Sequence, residues 1–168
     1  MYVKRVLPNG VRIISERLDN VRTVSVGIWV GNGSRYEPAE LNGISHFIEH
    51  MIFKGTEKRS ARHIAIAIDA LGGQANAFTD KECTCYYMKV LDSRLQTGIA
   101  LLADMFLESR FAQEDIELER GVVGHALHIA LLTRKLRNLI VERHAPLVEL
   151  CGGRTSGVNV LLGLHMRA

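Results

Sequence analysis

Cysteine is scarce: the 168 residues contain three, Cys83, Cys85 and Cys151. An odd number with two nearly adjacent suits neither a disulfide framework nor a Cys-x-x-Cys metal site, so all three read as ordinary small side chains. Long apolar runs are missing as well, none reaching the roughly 20 residues needed to cross a bilayer. The start, Met1-Tyr2-Val3-Lys4-Arg5, leads straight into a strand-like segment with no signal-peptide core. A cytoplasmic protein with no membrane partner is therefore expected. Aromatics are few, and residues 121–168 contain none. That same stretch has 6 Lys+Arg against 2 Asp+Glu, a balance of +4, whereas residues 1–120 have 15 against 16, a balance of −1. The net charge of +3 is thus a property of the tail. Nucleic-acid modules set basic residues among aromatics on one face, so a basic tail without aromatics argues against a nucleic-acid partner.

What the sequence does hold is apolar material, 47% of its residues, enough for one core-bearing domain or a little more. Val3–Leu7 and Val11–Ser15 flank Pro8-Asn9-Gly10, and Asn-Gly between apolar-rich runs predicts a hairpin because both residues tolerate positive φ. Val24, Val26, Ile28 and Val30 alternate with other residues from Thr23, as in a strand with one buried face. Gly31-Asn32-Gly33-Ser34 breaks that strand, and 35–42 reads as a loop. A helix from about Asn42 carries Ile44, Phe47, Ile48 and Met51 as an apolar stripe and ends at Lys54-Gly55-Thr56. Ser60 is the N-cap of a second helix that stops at Gly72-Gly73. Two adjoining strands follow at 74–79 and 81–91, then helices from Asp92-Ser93 to about Glu108 and from about Glu114. This order predicts an α+β domain, an antiparallel-rich sheet with helices packed on one face.

Within the first helix, His46 and His50 stand at i and i+4, one turn apart on one face and close enough to share a cation. Glu49, at i+3 from His46, points to the same side, where a carboxylate could take a proton from a metal-activated water. His-x-x-Glu-His inverts the commoner His-Glu-x-x-His and is the inverzincin signature. Taken by themselves, these residues are equally compatible with a solvated helix surface.

Several blocks in fixed order resemble one family. They are Leu7-Pro8-Asn9-Gly10-Val11-Arg12, Gly31 to Arg35, Gly43-Ile44-Ser45-His46-Phe47-Ile48-Glu49-His50-Met51, Phe53-Lys54-Gly55-Thr56, and Gly73-Gln74-Ala75-Asn76-Ala77-Phe78-Thr79. Together they resemble the pitrilysin family of zinc metallopeptidases, which includes insulysin and the mitochondrial processing peptidases, and within it the bacterial processing-peptidase-like branch. The resemblance implies zinc held by His46 and His50, Glu49 as general base, and hydrolysis of unfolded peptides. It implies that Asn76, Ala77, Phe78 and Thr79 form an edge strand that pairs with the substrate backbone. It matches Glu119 to a supporting acidic residue, for which an ordinary surface helix position is the alternative.

The resemblance covers residues 1–123 and departs at the third zinc ligand. The family has a glutamate in a segment resembling Val-Val-x-Glu-Glu; here Gly121-Val122-Val123-Gly124-His125-Ala126 puts Ala126 at that place. Catalytic zinc normally takes three protein ligands, so activity of the chain is expected to be impaired. His125 and His128 are candidate substitutes, but their offsets of one and two residues turn them about 100° and 200° around a helix, so neither points where Ala126 does. Residues 124–168 are expected to be an atypical tail, frame-shifted or divergent. Leu127–Val141 is helix-compatible, but Cys151–Gly157 lacks a clear period and the end, Leu161–Ala168, has no evident stop structure. The chain is thereby expected to be a truncated, metal-bearing first domain lacking a second peptidase half or subunit. Three functions follow: a zinc endopeptidase, a non-catalytic binding or assembly subunit related to processing peptidases, or an inactive truncated gene product.

Overall fold

The computed structural model describes residues 2–8, 10–123 and 158–164. Strand β1 (Tyr2–Val6) turns back on β2 (Arg12–Arg17), with Val6 opposite Arg12. The Leu7 N–H donates to the Val11 carbonyl at 2.8 Å, closing the expected hairpin. β3 (Thr23–Val30) follows, then short 3₁₀ turns at Ser34–Tyr36 and Ala39–Leu41 within the expected loop. Helix α1 (Ile44–Met51) ends three residues earlier than its sequence pattern suggests. α2 (Ala61–Ala70) begins at Ser60, whose hydroxyl accepts the His63 N–H at 3.3 Å. It ends as Gly72 adopts φ +60°, a left-handed stop that glycine takes without steric cost. β4 (Gln74–Thr79) and β5 (Thr84–Leu91) form the second hairpin, followed by α3 (Leu95–Leu107) and α4 (Gln113–Val123).

The sheet order is β1-β2-β6-β3-β5-β4, where β6 is Val158–Leu164. β6 lies antiparallel to β2 and parallel to β3, with Val26 opposite Val160. No strand was expected in this part of the tail. Val158-Asn159-Val160-Leu161-Leu162-Gly163-Leu164 keeps no sustained apolar–polar alternation, and a short apolar run is not told from a buried helix segment by periodicity alone.

Register explains where the core sits. Val24 faces Val90, Val26 faces Met88 and Ile28 faces Tyr86 across β3 and β5, and all six are buried. Ser25, Lys89 and Leu91 between them are exposed, so one face of the sheet carries the core. Leu95, Ile99, Leu102, Met105 and Phe106 of α3 close over that face. This is the expected α+β layering. Cys85 is fully buried in β5, and burial pushes its thiol up to about 12. It packs as a small apolar side chain, and Cys83 is also free. Cys151 lies outside the described residues. Among the described residues, no helix is long and apolar enough to cross a membrane.

Candidate metal centre

The start of α1 is set by Gly43, at φ +92°, where a side chain would strain the backbone. Glu37 supplies the cap: its carboxylate accepts the Gly43 N–H at 2.6 Å and the Ser45 N–H at 2.9 Å. A negative charge on the free N–H groups of the first turn is favourable there. Nothing local in the sequence marks Glu37, because it reaches the helix across an intervening 3₁₀ turn.

One face of α1 buries Ile44, Phe47 and Met51 against Ile116 of α4, with Leu41, Ile48 and Phe111 at the margin. His46 and His50 consequently sit together on another face, His46 exposed and His50 half-buried. Their Nε2 atoms are 3.2 Å apart, with ring planes at 83°. Two imidazole nitrogens about 2.05 Å from one tetrahedral centre stand about 3.3 Å apart. The pair therefore fits a shared divalent cation of the zinc type.

Behind His50, Nδ1 lies 2.9 Å from Glu119 Oε2. The carboxylate accepts, so Nδ1 carries the hydrogen, and in the neutral ring that leaves the Nε2 lone pair for a metal, the usual backing of a metal-bound histidine. Glu119 is buried, its side chain 7% exposed, which overturns the surface-helix alternative. α4 brings it there: Ile116 is in the cluster against α1, and Glu119 follows three residues later on the same face. The Lys54 ammonium pairs with its other oxygen, Oε1. Lys54, then His50, holds the Glu119 carboxyl below the usual carboxylate range against the opposing effect of burial. In the sequence, the one local signal for Lys54 is its spacing of four from His50.

Glu49 accepts a hydrogen bond from Thr79 Oγ1 at 2.5 Å. Thr79 ends β4, an edge strand of the described sheet with β5 on one side. Its side chain therefore reaches the base position in addition to any backbone role. Asn76 and Phe78 are exposed while Ala77 and Thr79 are half-buried. Asn76 Oδ1 accepts the Ala77 N–H at 2.8 Å, so a peptide pairing at that point would exchange for this bond. Tyr86, on β5 opposite Ala77, has its phenol pushed up by burial, with the Glu49 carboxylate adding to the effect, and so stays neutral.

The structure thus gathers His46, Glu49, His50, Glu119 and Thr79 around one end of α1. Among the described residues, no group of three or more His, Cys, Asp and Glu side chains has metal-holding geometry. Ala126, His125 and His128, the positions in question for a third ligand, lie outside the described residues.

Comparison with known proteins gives the family. The family described as Insulinase (Peptidase family M16) matches residues 12–142, a stretch that runs past Val123 and includes position 126. The chain is 55% identical over 115 residues to the uncharacterized zinc protease YmxG of Bacillus subtilis, covering 68% of this chain and 28% of that protein. It is 45% identical over 117 residues to the probable mitochondrial-processing peptidase subunit beta of Arabidopsis thaliana, covering 70% of this chain and 22% of the relative. The crystal structure of a protease from Helicobacter pylori is similar with a TM-score of 0.68 at 27% identity, covering 73% of this chain and 29% of that one. The chain therefore spans about a quarter of the length of these relatives.

Proposed function

The chain belongs to the insulinase family, peptidase family M16, and on that premise we propose that it carries part of a zinc endopeptidase centre acting on unfolded peptides. His46 and His50 hold the zinc and Glu49 is the general base. What zinc would supply when bound is Lewis acidity, which lowers the pKa of a coordinated water to about 7. The chain's own residues do the rest. Glu119 fixes the His50 ring through Nδ1, leaving Nε2 directed at His46. Thr79 holds one oxygen of Glu49, which leaves the other free to accept a proton. The β4 edge offers backbone groups to an extended peptide, in register with the base. The relatives' greater length supports a second peptidase half or subunit as the partner that completes substrate binding.

The observation that carries this reading is the 3.2 Å Nε2–Nε2 pair with a buried carboxylate behind it. Its test is zinc content after dialysis of the purified chain, beside Ala126→Glu and Glu49→Gln. Ala126→Glu is expected to retain one zinc more tightly than the parent, because it adds the missing third ligand. Glu49→Gln in that background should keep the zinc and lose peptide hydrolysis. Absence of zinc from parent and Ala126→Glu alike would overturn the reading.

A further inference from the structure

After α1 ends at Met51, the chain turns so that the Lys54 N–H donates to the Met51 carbonyl at 3.1 Å. The segment that follows is pinned by backbone bonds. The Arg110 N–H donates to the Gly55 carbonyl at 3.0 Å, and the Glu57 N–H to the Glu108 carbonyl at 3.1 Å. Lys54 is therefore presented from a fixed backbone, four residues beyond His50. Its ammonium sits on Oε1 of Glu119, while His50 Nδ1 sits on Oε2 at 2.9 Å.

The two oxygens of a carboxylate turn as one rigid group, so fixing one fixes the other. Glu119 is buried, and a buried charge is stable only when paired and hydrogen-bonded. An Nδ1–H···carboxylate bond selects one imidazole tautomer, and that choice decides whether Nε2 has a lone pair to offer. Lys54 stands one bond further out in the same chain of contacts.

We infer that Lys54 is a positioning residue of the metal centre. By holding Oε1 of Glu119 it aims Oε2 at His50, which keeps that imidazole in its Nδ1–H tautomer with Nε2 open toward His46. The inference rests on the reading that His46 and His50 are metal ligands.

The test uses the full chain, metal-free, with long-range ¹H–¹⁵N correlation of the histidine ring nitrogens, followed by zinc affinity from competition with a chromophoric chelator. The parent should show a protonated Nδ1 at His50. Lys54→Met should shift that pattern toward the tautomer mixture of free histidine and weaken zinc binding about 10- to 100-fold. Lys54→Arg should restore both, since a merely structural lesion would not be repaired together with the tautomer. Lys54→Gln replaces Lys54→Met if the latter loses the native amide spectrum. An unchanged His50 pattern in Lys54→Met overturns the inference, even where the parent binds zinc. A shifted pattern in a chain whose parent binds no zinc supports the role of Lys54 in setting His50 and refutes the metal reading instead.

Discussion

The loop that presents Lys54 is tied to α3 by a charged clamp whose strength can be worked out and measured. Asp104, buried in α3, accepts at Oδ2 from Thr56 Oγ1 at 3.0 Å and from Arg59 at 2.5 Å. Thr56 Oγ1 in turn accepts the Lys58 and Arg59 backbone N–H groups at 3.1 and 3.0 Å. Oδ1 of Asp104 is buried with no hydrogen-bond partner among the described residues. Arg59→Leu leaves that carboxylate with Thr56 alone. Removing one partner of a fully buried pair costs about 3–5 kcal/mol. The Arg59 side chain is 39% exposed, so water screens the pair, and roughly half of that, about 1.5–2.5 kcal/mol, is the expected loss. For a chain of this size that corresponds to a fall in Tm of about 3–10 °C. Replacing both residues, Arg59→Leu with Asp104→Leu, also removes the stranded charge and should be at least as stable as the single variant. Thermal and urea unfolding followed by circular dichroism measures all three proteins. A single variant within 1 °C of the parent, roughly the error expected from the scale above, would refute the assignment of the clamp. A double variant less stable than the single one would refute the bookkeeping of the buried charge.

Thr79→Val removes the Thr79 bond to Glu49 without altering side-chain shape much. In a zinc-loaded, peptide-cleaving form of the chain, kcat should fall about tenfold with little change in KM, the low end of a charge-assisted bond because Glu49 is half-exposed; Thr79→Ser should recover it, and an unchanged kcat contradicts the role. At the sheet's far side, the hydrogen bond from Arg22 at 2.8 Å, aided by the Ser93 N–H, holds the Asp92 carboxyl below its ordinary range despite the opposing effect of burial. Because the folded value lies below the unfolded one, its stabilisation is present above the unfolded carboxyl range, near 3.9, and is lost as pH falls through the folded value. Asp92→Asn should therefore lower the urea midpoint at neutral pH and converge on the parent on acidification, and a pH-independent gap would contradict this.

Much of the fold and the centre of the site are legible in short stretches of sequence. Asn9-Gly10 between apolar runs specifies the first hairpin, the alternation from Val24 to Val30 specifies a half-buried strand, and Ser60 marks a helix start. The i, i+3, i+4 spacing of His46, Glu49 and His50 follows from helical geometry alone, once the apolar stripe of α1 is recognised. These features depend on residues within a turn or two of one another, and that is the range over which periodicity carries information.

The rest was decided by contacts between distant segments. β6 enters between β2 and β3 from more than 120 residues away, and its apolar run fits a central strand or a buried helix equally well until its partners exist. Thr79 on Glu49, and Lys54 with His50 on Glu119, likewise come from the packing of α1 against β4 and α4. A polar side chain's partner is whichever complementary group the fold places within hydrogen-bond reach, and no local pattern encodes that distance. The sequence by itself placed His46, Glu49 and His50 together on one side of a single helix. Only the tertiary structure decided which side chains aim them, because aiming requires a second element buried against the first.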